Sequence, residues 1–430
     1  MTKPRQLRFL FTTFDGGGNV APVMGVVEKL VRRGHLVRVM SDGATRDEAE
    51  AAGAGFLGWR RAPNKPTRAR DTAFGDWAVS TPGELVKLLV GGWMCGHALA
   101  YARDVIEELE REPADLVVNF DMLLGVIAGC EARGQRLALL STCIAHAPFE
   151  LAGQPPFGAG LAPPRTEADH ELHAAVRHAA TALIDAELPQ FNAVRRELGL
   201  APLQHLSGQV DAASARFLGT ARAFDFPCEL PANVRYAGPL VRDPVWVGDW
   251  TAPWPATERR PLVLVGFSTS FQNHAACLQR VIDACASLPV RVLVTLGGAI
   301  LQDELRPADN TVIRDSAPHD IVMRDASLVV THGGHGTVMT ALLHRLPMLV
   351  LPHGRDQGDN AARITERGAG LALPNSATVE AMRAAIVRLL DEPGFGRQAS
   401  RLGEAVAAEV AASTLIADLE RLASGQRLPG

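Results

Sequence analysis

The sequence predicts an α/β protein built from two doubly wound parallel-sheet halves, and three observations carry that prediction. Short apolar, β-branched runs alternate with helical sequence through the first 240 residues. The segment 241–260, VRDPVWVGDWTAPWPATERR, breaks the alternation with three tryptophans and three prolines in no period. Behind it the alternation restarts. Strands alternating with helices make βαβ units, and an aperiodic Pro/Trp stretch between two such series reads as a linker. The expected divisions are 1–240, a linker at 241–260, 261–410, and a terminal helix at 411–430.

In the first half LRFLFTT (7–13) reads as a strand, followed by a Gly-rich loop (15–18) and an amphipathic helix from Val20 to Arg33. Gly34 stops that helix, as a residue free to turn left-handed does. LVRVMSD (36–42), LVVNF (116–120) and LALLS (137–141) are further buried strands, and 168–198 is one long helical stretch rich in Ala, Glu and Leu. In the second half the strands are LVLVGF (262–267), RVLVTL (291–296), TVIR (311–314), LVVT (328–331) and MLVL (348–351). Helical sequence lies between most of them, and the last helix spans 397–423. Neither an internal repeat nor a low-complexity segment is present.

A chain of 430 residues exceeds one typical domain. Hydrophobic content of 47% with 21% charged residues describes an ordinary globular protein with ample core. A net charge of −4 without a basic cluster argues against nucleic acid or an anionic membrane as partner. Cys95, Cys130, Cys143, Cys228, Cys277 and Cys285 are scattered, with no Cys-x-x-Cys pair and no metal spacing. They read as reduced, buried thiols of a cytoplasmic protein. The N-terminus lacks the apolar length of a signal segment, and no stretch is expected to reach membrane-spanning length. Monomer and homodimer are both compatible with these properties.

The most informative segment is LVVTHGGHGT at 328–337 with LPMLVLPHGRDQ at 346–357. A strand ends in a glycine-rich turn that carries His332, and helical sequence opens at Thr337. Gly333, Gly334 and Gly336 remove Cβ atoms where backbone must come close to something, and the N–H groups of a helix start point outward with the positive end of its dipole. Such a turn suits a phosphate or diphosphate. The next strand ends at Pro352, and Asp356 with Gln357 follows; a carboxylate beside an amide suits hydroxyl-rich ligands such as sugars. Together, His332 to Thr337 and the Pro-x-x-x-Asp-Gln-x-x-Asn run from Pro352 to Asn360 resemble the nucleotide-sugar signature of family 1 glycosyltransferases. The bacterial branch that decorates antibiotics and other secondary metabolites is the nearest likeness.

That resemblance implies the GT-B fold: two Rossmann-like domains facing across a cleft, an acceptor-binding domain at 1–240 and a nucleotide-sugar-binding domain at 261–410. The helix at 411–430 would pack back on the first domain. It implies that His332 and the amides of Gly333, Gly334 and Gly336 hold the diphosphate with the Thr337 hydroxyl. Thr269 and Ser268 would reach the same oxygens, although Thr269 could equally bond its own backbone. Asp356 and Gln357 would bind the sugar. Donors aimed at a departing nucleoside diphosphate stabilise the growing charge. With no Asp-x-Asp motif, neither metal nor cofactor is expected, the nucleotide sugar being a co-substrate. Ser316 stands where an aromatic commonly stacks on the base, leaving Ala317 backbone to hold it. Thr340 stands where UDP-using relatives carry a ribose-binding glutamate, which favours a dTDP-sugar over a UDP-sugar.

In relatives the loop after the first strand reads Gly-His-Val-x-Pro, and its histidine deprotonates the acceptor hydroxyl beside an aspartate on a later loop. Here the stretch is Gly18-Asn19-Val20-Ala21-Pro22, and the aspartate is Asp121. An amide is no general base near neutral pH. Three readings stay open. Asp121, its pKa raised by burial, takes the proton, with Asp15 a weaker candidate. Alternatively the acceptor needs little help, as an ionised phenol, an amine or an electron-rich aromatic carbon would. Or the chain has lost catalysis and is a sugar-nucleotide-binding helper. Asp121 could also be a helix cap before 122–133. A sugar-nucleotide epimerase would need richer paired carboxylates than the cleft sequence offers. Trp59, Phe74, Trp77, Trp93, Met94, Phe149 and Phe157 would suit a flat apolar aglycone, or be ordinary core. The expected reaction is inverting transfer of a (deoxy)sugar to a hydrophobic natural-product aglycone.

Overall fold

The structure is a computed structural model that describes residues 5–68, 75–79, 81–245, 247–248, 250–267 and 272–429. The first sheet contains β1 (Arg8–Thr12), β2 (Leu36–Ser41), β3 (Gly55–Gly58), β4 (Leu116–Phe120), β5 (Leu137–Ser141), β6 (Ala215–Leu218) and β7 (Val234–Tyr236). The second contains β8 (Leu262–Gly266), β9 (Arg291–Thr295), β10 (Thr311–Arg314), β11 (Ala326–Thr331), β12 (Met348–Val350) and β13 (Gly370–Ala372). Their orders are β3-β2-β1-β4-β5-β6-β7 and β10-β9-β8-β11-β12-β13. Every pairing is parallel, with Phe11 beside Val118 and Val330 beside Val265 at the centres. Each order reverses direction once, between β1 and β4 and between β8 and β11. Ligands of open parallel sheets bind outside the strand ends at such a reversal.

The strands β4, β5, β8 and β9 are buried along their whole length, as expected where helices cover both faces. Helix 124–132 lies directly on helix 98–111 because it offers Gly125 and Gly129 to it. A Cβ at Gly125 would stand 2.0 Å from the Ala98 carbonyl oxygen. That close packing fixes the segment running out of β4, which carries Asp121.

Several expectations need correction. The stretch 168–198 is two helices, Glu167–Asp185 and Leu188–Glu197, because Pro189 cannot continue a helix but fits a first turn. The last helix divides into Pro393–Ala411 and Leu415–Ala423. Leu415, Leu419 and Leu422 of the second piece join the apolar layer of Phe9, Val23 and Val27 in the first half, and Glu420 pairs with Arg33 and His35. The helical run Pro82–Arg111 is long and apolar enough to cross a bilayer, contrary to expectation. It instead buries Val90, Met94, Ala98, Tyr101 and Val105 in the core of the first half. No helix or strand lies between Tyr236 and Leu262 among the described residues, where Trp250 and Trp254 lean on the second half's core.

The halves are tied beside the cleft by helix 357–366. Its Asp359 accepts from the Gly158 and Gly160 amides at 2.7 and 2.9 Å, and its Arg363 pairs with Asp225 at 2.7 Å.

Candidate active site at the facing sheet reversals

In the second half β11 delivers its chain into the glycine turn at the reversal point. Gly333 is left-handed (φ 95°), and a Cβ there would meet Val350 at 2.7 Å. A Cβ on Gly334 would stand 2.6 Å from His332 Nε2, so glycine at 334 is what lets the imidazole lie across the turn. At Gly336 a Cβ would meet nothing within 4 Å. Helix 335–343 starts there and presents Thr337 in its first turn. His332 is buried, and burial, with His274, His353 and Arg355 close by, holds its pKa well below the ordinary value. Thr340 is buried and its hydroxyl donates to the Gly336 carbonyl at 2.9 Å, so it points into its own helix.

His335 is turned away from the turn, lying 3.3 Å from Asn360 Oδ1 and 3.2 Å from the Gly219 carbonyl oxygen of the first half. Asn360 donates to the Gly333 carbonyl and to Asp356 Oδ2, both at 2.9 Å, and so ties the turn to the following loop. Asp356 is half-buried. Gln357, expected to bind sugar, is turned inward. Its Oε1 accepts from the His353 amide at 2.7 Å and its Nε2 donates to Gln272 at 2.9 Å. With 2% exposure it braces the loop. Ser316 is half-buried, and the Ala317 methyl belongs to the core, leaving its backbone for a ligand. Ser268 and Thr269 lie outside the described residues, as does Phe74.

In the first half Asn19 is spent on its own loop. Its Nδ2 donates to Thr13 Oγ1 (3.1 Å) and the Phe14 carbonyl (2.8 Å), and its Oδ1 accepts from the Gly16 amide (3.0 Å). Asp15 is buried too, its Oδ1 3.3 Å from the Gly17 amide and 3.4 Å from Arg68. Asp121 is fully buried and does not cap the helix, whose N-cap is Leu123. Its carboxylate meets His146 Nε2 at 2.9 Å, Arg216 at 3.2 Å and the Ser141 hydroxyl. Burial alone would raise its pKa, but the charges and hydrogen bonds of His146 and Arg216 outweigh that and hold it far below the carboxylate range. The same pairing raises His146 against its burial. The expectation that burial raises the Asp121 pKa is therefore corrected: its partners hold it down, and a carboxylate so stabilised is a weak proton acceptor.

His146 and Arg216 carry no spacing that links them to Asp121; only the parallel neighbours β4, β5 and β6 bring them together. Of the aromatic candidates, Trp93 contacts Phe14 (4.0 Å between centroids), which also meets Phe120 (5.4 Å), at the ends of β1 and β4. Trp59, Met94 and Phe149 are core, whereas Trp77 is exposed and Phe157 half-buried beside His146. The Cys143 thiol, in the loop after β5, is lifted by burial and by the carboxylates of Asp356 and Asp121. Arg355 reaches across to pair with Asp76 at 2.7 and 3.0 Å.

Comparison with known proteins agrees with this layout. Residues 279–422 match the family model described as erythromycin biosynthesis protein CIII-like, C-terminal domain. The chain is similar to 4'-demethylrebeccamycin synthase of Lentzea aerocolonigenes, at 29% identity over 93% of this chain and 96% of the relative. It also resembles the solved glycosyltransferase of kitacinnamycin, with a TM-score of 0.75 at 18% identity, covering 97% and 99% of the two chains. A glycosyltransferase solved in complex with dTDP superposes with a TM-score of 0.64 at 18% identity over 97% and 100%. The architecture is the GT-B fold.

Proposed function

We propose that the chain is a family 1 glycosyltransferase of the bacterial branch that decorates secondary metabolites, as the matched family model and relatives support, and that it moves a (deoxy)sugar from a dTDP-sugar, in preference to a UDP-sugar, onto a hydrophobic aglycone with inversion. One observation carries this reading: the helix that opens from the glycine turn sets His335 3.2 Å from the Gly219 carbonyl oxygen after β6, and Asp359, on the helix behind Asp356, accepts from the Gly158 and Gly160 amides, so donor and acceptor loops share one cleft. The turn amides, His332 and Thr337 hold the diphosphate and take up the charge that develops as it leaves, which is work a metal would otherwise do. Asp356 orients the sugar. The inward hydroxyl of Thr340 supports a donor whose ribose needs no carboxylate partner.

With Asn19 and Asp121 both bonded within the protein, the second reading of the missing base is favoured. The acceptor supplies its own nucleophile, as a phenolate, an amine or an electron-rich aromatic carbon. The six free cysteines, four of them buried, fit a reducing cytoplasm. The test is a mass-spectrometric screen of purified protein with dTDP- and UDP-sugars against phenolic, amine and aliphatic-alcohol polyketide acceptors. Transfer to phenols or amines with dTDP-sugars, rising as pH passes the acceptor's own pKa, is the expected result. Efficient transfer to aliphatic alcohols, or a clear preference for UDP-sugars, defeats the corresponding part of the proposal.

A further inference from the structure

Beside the His332 turn lie two more imidazoles that this reading of the site does not use. Phe267, at the end of β8, has His332, His274 and His353 around it at centroid distances of 6.0, 5.7 and 5.6 Å. His274 and His353 are themselves 6.0 Å apart. They come from three separate chain segments: the loop after β11, the residue preceding helix 275–285, and the loop after β12. Among the described residues, the other charged groups facing them are Arg355, which pairs with Asp76, and Arg280 on helix 275–285, bonded to the carbonyls of Ala377 and Asn375.

The tautomer of His353 is set by geometry. Its Nδ1 lies 2.8 Å from the Leu351 carbonyl oxygen, which can only accept, so Nδ1 carries the hydrogen. In the neutral ring Nε2 is then a bare lone pair, which repels an anion. To donate to a phosphate oxygen, Nε2 must first gain a proton.

We propose that His353 is a second phosphate-binding histidine beside His332, and that it takes up one proton from solvent when the nucleoside diphosphate occupies the turn. The proposal rests on the donor-site reading above. In the empty cleft, burial and the neighbouring cations keep His353 and His332 neutral near pH 7. A bound diphosphate reverses the sign of the local potential, and the first imidazole to charge opposes the second, so the cluster gains a single proton. The added N–H bonds the diphosphate through the transfer, and the proton returns to solvent when the nucleotide leaves.

The experiment is titration calorimetry of dTDP into the intact protein, in PIPES and in Tris, across pH 7 to 9. Expected for the wild type is net uptake approaching one proton, with affinity falling up to about tenfold per pH unit, as linkage requires for a whole proton. His353→Asn keeps a donor for the Leu351 carbonyl but has no Nε2. It should still bind dTDP, more weakly at pH 7, with no buffer dependence and a flat pH profile. A variant that kept the wild-type uptake, or a wild type whose heats are the same in both buffers, overturns the proposal. If neither dTDP nor UDP binds the wild type at millimolar concentration, the donor-site reading falls and takes the proposal with it. Circular dichroism of His353→Asn and a parallel His353→Gln separates lost binding from lost folding, and both must lose the uptake.

Discussion

The two halves share a topology but treat the groups at their reversal points in opposite ways. After β11, the turn is kept open: glycines hold Cβ atoms away, Gly336 faces free space, and His332 is neutral beside it. After β1 and β4, the polar groups are closed on one another: Asn19 on Thr13, Phe14 and Gly16, and Asp121 on His146, Arg216 and Ser141. One fold thus carries a site preorganised for a ligand and a set of side chains preorganised for each other. Function resides in how the loops are finished, since the sheet order is common to both.

The sharpest way to break this contrast is Asp121→Asn. The substitution leaves the Arg216 guanidinium buried without a counter-charge and takes from His146 the carboxylate that raises its pKa, which costs about 3–5 kcal/mol. Urea unfolding should register that loss, while turnover per folded molecule falls less than about tenfold, below what a lost general base costs. The pH dependence carries the same signature. Asp121, its folded pKa depressed, contributes stability that is present above the usual carboxylate value and lost only in strong acid. His146, its folded pKa raised, contributes stability that is complete below its ordinary value of 6.5 and lost as pH rises through the folded value. Wild-type stability should therefore decline as pH rises above 6.5 through the folded His146 value, and Asp121→Asn should flatten that limb. Turnover that collapses while stability holds would make Asp121 an acceptor-side group after all.

Next in size is His332→Ala in the open turn. Removing one preorganised donor from a developing anion costs about 10²–10³ in rate. Here that loss should fall on kcat/KM for the nucleotide sugar, with a smaller loss of stability from the packing of the buried ring beside Phe267, since its hydrogen bond to Thr331 is a marginal 3.4 Å. An unfolded variant would mean that the second half, too, spends its polar groups on itself.

The legibility of the two sites differed for the same reason. A glycine turn between a strand and a helix is a local pattern, so His332 to Thr337 and the Asp356 loop could be found by spacing. So could the long buried strands, such as β4 and β5, whose observed bounds match the expected ones. The strands β3, β6, β7 and β13 escaped because three or four residues, some of them glycine, give period-2 alternation nothing to repeat. The partners of Asp121 escaped for a different reason: His146 and Arg216 stand 25 and 95 residues away, and only sheet adjacency relates them. The motif places Gln357 on its loop, but the inward turn of its side chain onto His353 and Gln272 is not legible in spacing.

The smallest expected effect tests the contrast from the other side. Asn19→His restores the residue type that relatives use, so it asks whether the first half merely lacks a base or is built around having none. The carboxamide makes three short-range bonds, and even a Cβ on Gly16 would come within 2.9 Å of its oxygen, so the larger ring has no room in the same place. Losing those bonds costs on the order of 1–2 kcal/mol. Nor is the second member of the pair waiting: Asp121 is already engaged by His146 and Arg216 and cannot orient a new imidazole without abandoning them. Turnover with a phenolic acceptor should then change by less than about threefold, far from the 10²–10⁴ a working base supplies. A hundredfold gain in stopped assays of the variant would show that Asp121 releases its partners readily, and the first half would have to be redrawn as an acceptor site one residue short of its base.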